Sequence, residues 1–331
     1  MNALRPHPHR GDIIAAAAVP LALAGLLIEL RMRQWSLGPR FAAIALIGGL
    51  ILTMGWLTPL EGPSPRAYHS ILLISGLLLL IVALPLLAEL LGARRPPGAG
   101  ALAWTFATAA AVAAAAARRA NSGACTLIAA LAGGIALEAF VSWAFAPHGL
   151  GSFRAILLVL SLGYAAGCVR LRDRHRRHAV QLANAGGVVT LLLALSFLLV
   201  RLLAAVEAGL SDGSPAEIHS SAAFGWKLYV LAVGCGLIAY AGVDSEPGPA
   251  YVGVLVLGAF ALLAGLPVAT RGSLVGWPLF LLAIGAAGLA VGLRPRRPLP
   301  PEPPAAGTAA AAGKPSPEPT PLHHRADREQ P

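Results

Sequence analysis

"YHSILLISGLLLLIVALPLLAELLG", Tyr68 to Gly92, decides the fold. From Ile71 to Ala88 it contains no charged residue. At 1.5 Å of rise per residue, about 20 apolar residues in a helix cross the hydrocarbon core of a bilayer. The run does not alternate between apolar and polar residues, as a barrel strand would. In hydrocarbon only a helix satisfies every backbone group within one segment, so the stretch reads as a transmembrane helix.

The same pattern recurs on both sides of it. Ten apolar runs are expected to span: 12–30, 41–60, 68–92, 101–117, 123–145, 154–170, 182–206, 224–243, 250–270 and 274–293. The predicted fold is all-α, a polytopic helical bundle over residues 1–297. Composition agrees, since only 12% of the 331 residues are charged, about half the share in soluble domains. Mean hydropathy is +0.70. No soluble domain is expected, and 298–331, rich in Pro and Ala, reads as a disordered tail. The first run, 12–30, continues past Ala22-Leu23-Ala24 to Ile28 without a polar break, which predicts a retained helix rather than a cleaved signal.

Trp56, Trp104, Trp143, Trp226 and Trp277 sit near run ends, where amphipathic rings favour the headgroup level. Trp104 supports the fourth run, which is otherwise mostly alanine and near neutral for insertion. With ten spans the inside loops carry 13 Lys and Arg against 8 outside. If 101–117 does not cross, the split is 15 against 6, so loop charge favours nine spans while length and Trp104 favour ten. Ten is the reading adopted. Both arrangements place the 170–178 loop and the C-terminus in the cytoplasm.

That loop, in "CVRLRDRHRRHAV" (Cys168 to Val180), holds Arg170, Arg172, Arg174, Arg176 and Arg177. They read as a topology anchor that meets anionic headgroups. The net charge of +10 therefore implies a membrane surface, and no nucleic acid partner. His175 and His178 have metal-compatible spacing, but the surrounding arginines repel cations, so no metal and no cofactor are expected. Cys125, Cys168 and Cys235 form no CxxC pair and read as small buried packing residues.

Ionisable groups at membrane depth are expensive and often functional. Glu29 and Glu89 lie one turn from run ends, within reach of the interface. Glu138, in "GGIALEAFVSW", and Arg201, in "SFLLVRLLAAV", lie deeper. The face of Glu138 is predicted to carry Gly134 and Ser142. The face of Arg201 carries Gly187, Thr190, Ala194, Ala205 and Ala208. Small-residue faces pack against other helices, so Glu138, Arg201 and Ser142 are the intramembrane polar candidates. The fifth and seventh runs point the same way, and an ion pair between Glu138 and Arg201 is open to them. Gly163-x-x-x-Gly167 and Gly288-x-x-x-Gly292 suggest close helix approach. Pro20 and Pro85 are expected to kink their helices.

"GPAYVG" (248–253) and "SLVGWPL" (273–279), with the apolar runs around them, resemble uncharacterised multi-pass membrane proteins of high-GC bacteria. The resemblance covers residues 224–303 and implies a bacterial inner membrane protein, with no activity attached. Glu246-Pro247-Gly248-Pro249 reads as a tight turn between the eighth and ninth spans. No Walker loop, GxSxG or HExxH motif occurs, and no nucleophile, base and metal set can be assembled. The function expected is a non-enzymatic membrane subunit or scaffold with a possible membrane-protein partner. The alternative is a transporter or lipid-handling protein with a polar site around Glu138 and Arg201.

Overall fold

A computed structural model describes residues 11–32, 34–58, 66–147, 149–210 and 222–265. These residues belong to one compact unit, Met1–Gly272. They form helices and short turns, with no strand among them. The helices are α1 (Gly11–Arg31), α2 (Leu37–Leu57), α3 (Ala67–Leu90), α4 (Ala99–Ala120), α5 (Gly123–Phe145), α6 (Leu150–Leu171), α7 (Arg176–Leu210), α8 (Phe224–Asp244) and α9 (Pro247–Gly265). Among the described residues, these nine helices are long and apolar enough to cross a membrane. The chain is a multi-pass membrane protein. The expected tenth span, 274–293, and the tail, 298–331, lie outside the described residues.

Consecutive helices pack as hairpins, α2 on α3, α4 on α5, α6 on α7 and α8 on α9. Alternation gives the bundle two faces. The turns at 121–122, 172–175 and 245–246 lie on one, here the arginine face. The turns at 91–98 and 146–149 lie on the other. Lipid tails are as apolar as leucine, so packing geometry rather than water exclusion holds such helices together. Accordingly Val159, Leu162 and Val169 remain exposed to lipid, and the contacts are made by small residues.

Helix α3 is the most enclosed, with Leu72, Leu73, Leu77 and Leu79 fully buried. It packs against α1, α2 and α4. Gly76 makes this possible, because a Cβ there would sit 2.8 Å from Leu52 Cα on α2. The α4–α5 hairpin uses alanine for the same purpose. Ala109, Ala113, Ala116, Ala117 and Ala120 are buried. The two helices lie together along their length. They turn at Asn121, whose φ of 48° is left-handed, and they meet again at Ala110 with Gly133 and at Trp143 with Gly100. The alanine-rich fourth run is thus a helix of crossing length beside α5.

Helix α7 is the axis of the second half, touching α5, α6, α8 and α9. Its 35 residues measure about 52 Å at 1.5 Å each, so it outruns the hydrocarbon and starts six residues earlier than its apolar run. Ser161 Oγ on α6 donates to Gly186 O at 3.2 Å and lies 2.8 Å from Thr190 Oγ1 on α7. Tyr164 donates to Ala130 O on α5. The α8–α9 hairpin closes through Gly234 and Gly253, where a Cβ on Gly253 would lie 2.9 Å from Gly234 O. Its turn is tight but shorter than the expected 246–249: Ser245, at φ 51°, and Glu246 make it, while Pro247, Gly248 and Pro249 already belong to α9, where proline's missing N–H at the first position is no loss.

Two smaller expectations change. Gly163 has nothing within 4 Å of a Cβ, so it is not a close-approach site, although Gly167 is near Leu182. Cys235 is exposed, while Cys125 and Cys168 are buried. Pro20 and Pro85 lie within helices α1 and α3.

Candidate functional site: a groove beneath the arginine loop

The three intramembrane candidates do not converge. Glu138 is half-buried on α5, and its Oε2 is enclosed with no hydrogen-bond partner. Ser142, expected on the same packed face, is exposed. Eight residues at 100° each turn it about 80° away from Gly134, which is the residue that packs, against Tyr164 and Leu160 of α6. Arg201 extends Nη1 to Leu263 O on α9 at 3.5 Å and leaves Nη2 buried and unpartnered. Among the described residues no ion pair joins it to Glu138. On the same end of the bundle Arg154 of α6 donates to Ser196 Oγ at 3.1 Å and to Ser196 O at 3.3 Å. Its guanidinium lies 3.6 Å from the Phe197 ring centroid.

Charged groups do meet where sequence reasoning saw only helix ends. Arg40, at the start of α2, is 1% exposed and pairs with Glu29 at the end of α1. Arg95 of the α3–α4 turn lies 3.9 Å from Glu29 and 3.6 Å from Glu89. Glu29 and Glu89 therefore do not reach out to the interface singly. They anchor three helix ends to one another. Burying Arg40 is tolerable only because Glu29 compensates it.

The arginine face has a similar anchor, in Asp244 at the end of α8. Asp244 is 6% exposed. Its Oδ1 accepts from Arg172 Nη2 at 3.1 Å, and its main-chain carbonyl accepts from Arg176. The hydrogen bond to Asp244 pushes the Arg172 guanidinium above its ordinary value, so the charge persists at all physiological pH. Arg170, Arg174 and Arg177 are exposed beside it. His178 is held by Thr126 and Asn121 across the α5–α7 contact. Its ring thus fastens helices together. Among the described residues no three His, Cys, Asp or Glu side chains gather to hold a metal.

Between α6, α7 and α8 lies a groove of about 230 Å³. Ser161 and Cys168 of α6, Gly186 of α7, and Tyr229, Gly236 and Tyr240 of α8 line it. The space in front of Gly236 is open, since a Cβ there would meet nothing within 4 Å. The Tyr229 hydroxyl is buried without a hydrogen-bond partner, while the Tyr240 hydroxyl faces Asp244 and Cys168. An unpartnered buried hydroxyl forfeits about 1–3 kcal/mol until it finds a partner. The groove ends at Cys168, Val169 and Tyr240, directly under the arginine loop. There the Arg172 guanidinium is 5.7 Å from the Tyr240 ring centroid. No family model matches this chain, and no curated protein matches it.

Sequence reasoning singled out the loop arginines but missed the groove. Tyr229, Val233, Gly236 and Tyr240 repeat at helical spacing on α8, which was a legible stripe. That α6 and α7 present small residues opposite it was not.

Proposed function

We propose that this chain is a lipid-handling membrane subunit, a non-enzymatic helical scaffold that holds one lipid chain in the groove between α6, α7 and α8. One observation carries the reading: an apolar groove, open in front of Gly236, contains a buried hydroxyl, that of Tyr229, which lacks a partner. Its volume is below the about 300–1,000 Å³ typical of whole-ligand pockets, which suits a chain better than a compact solute. The groove lining includes neither Glu138 nor Arg201, so this role is separate from a polar transport site around those two.

The resemblance to multi-pass proteins of high-GC bacteria and the clustering of arginines on one face support a place in a bacterial plasma membrane. By the same rule the arginine face is cytoplasmic, and a crossing at 274–293, as the sequence predicts, puts the C-terminus on that side too.

A photoreactive benzoyl-phenylalanine in place of Gly236 tests the groove in native membranes. Irradiation is expected to add the mass of a lipid to the protein. A crosslink to residues 274–293, or to another protein, would show that protein rather than lipid fills the groove, and would overturn the reading.

A further inference from the structure

The groove has a directional polarity that defines its ligand. Its floor is apolar along α6 and α7, its far wall carries Tyr229, and its mouth carries Tyr240. Tyr229 and Tyr240 are eleven residues apart on α8, about 16 Å along the helix axis. Arg172 stands at the mouth, near the Tyr240 ring, in a loop that also carries Arg170, Arg174, Arg176 and Arg177. Two acidic residues lie close by, Asp173 in the loop and Asp244 beneath it. A third, Glu246, is on the neighbouring turn. Asp244 is engaged with Arg172 and Arg176. No ion pair among the described residues involves Asp173 or Glu246. The loop therefore keeps excess positive charge at the end of the groove where a lipid headgroup would lie.

The two roles of the arginines are distinguishable. Asp244 fixes Arg172 at the rim, over the Tyr240 ring, while Arg172 remains 43% exposed at its side chain. Arg170, Arg174 and Arg177 are exposed, and no bond ties them to Asp244. Guanidinium groups suit phosphate oxygens, which they bind through two parallel N–H donors.

Resting on the lipid-handling reading above, we propose that the groove's occupant is an anionic phospholipid. Its phosphate lies on Arg170, Arg172, Arg174 and Arg177, above the Tyr240 ring, and one acyl chain runs along Gly236 toward Tyr229. Asp244 is a positioning residue that sets Arg172 at the rim.

The experiment uses the full chain in nanodiscs of equal dioleoyl phosphatidylglycerol and dioleoyl phosphatidylcholine, which share acyl chains and differ in headgroup charge. Lipid retained after transfer to detergent is identified by native mass spectrometry. The wild type is expected to retain about one lipid, with the anionic one enriched at least five-fold, a difference of about 1 kcal/mol. Arg170→Gln/Arg174→Gln/Arg177→Gln is expected to keep the retained number and abolish the preference. Gly236→Trp is expected to lose retained lipid of both kinds.

The failures separate. Retention without headgroup preference overturns the anionic assignment and leaves the groove reading standing. No retention by the wild type overturns the groove reading itself. Anionic enrichment that survives Gly236→Trp unchanged would place the lipid on the loop alone and overturn the joined site. Circular dichroism of each variant confirms that the helical content is kept.

Discussion

Glu29, in the last turn of α1, and Arg40, in the first turn of α2, form an ion pair inside the helix bundle, with Arg40 almost wholly enclosed. Removing the carboxylate alone strands a buried guanidinium, a change worth about 3–5 kcal/mol. Glu29→Leu is therefore expected to lower stability by that order in detergent unfolding. Glu29→Leu/Arg40→Leu, which removes both charges, is expected to recover most of it. A double variant as unstable as the single one would show that the pair is not the source.

Two glycines make opposite forecasts. At Gly76 a methyl group would meet the Leu52 backbone at 2.8 Å, and backbone cannot yield as a flexible side chain can. Gly76→Ala is expected to cost about 1–3 kcal/mol. At Gly163 nothing lies within 4 Å, so Gly163→Ala is expected to gain up to about 1 kcal/mol from helix propensity. Denaturant titration of the two variants side by side measures the difference.

The unpartnered carboxylate of Glu138 burdens α5. An amide is easier to place in an apolar site than an ionised acid. Glu138→Gln is expected to leave stability unchanged or raise it by about 1–2 kcal/mol. A clear loss of stability would mean that the charged carboxylate has a partner outside the described residues.

Sidedness is directly measurable. Three helices, α4, α5 and α6, separate Ala93 from Arg174. In a background with Cys125, Cys168 and Cys235 replaced by alanine, Ala93→Cys and Arg174→Cys are expected to react with an impermeant maleimide from opposite sides of the membrane. Arg174→Cys is expected to react only after the cytoplasmic face is opened. Labelling of both from one side would mean that α4 does not cross.

The fold was largely legible because crossing a membrane is a one-dimensional requirement. A run such as Ile71–Ala88 needs no knowledge of its neighbours to be called a helix. Helix α4 was harder, since alanine says little about insertion, and its packing on α5 supplies what hydropathy lacks. The site was less legible because it depends on which helices meet. Nothing in the sequence says that Arg40 turns inward to Glu29, or that Asp244 collects Arg172 and Arg176. Ser142 failed for a simpler reason. A face inferred from one packed glycine drifts with every added turn, and by Ser142 it has rotated off the contact. Glu138 and Arg201 were read together, but Arg201 turns to Leu263 O on α9 and no ion pair among the described residues joins the two.

The alanine seam between α4 and α5 also bears on how the chain is made. Mean hydropathy of the best window in α4 is 1.5, against 2.9 for α3, so during synthesis α4 has little reason of its own to leave the translocation channel. The turn that joins it to α5 is only two residues, Asn121 and Ser122. A waiting α4 therefore meets α5 as soon as α5 emerges. The pair would enter the bilayer as one unit, its timing set by the later and greasier helix.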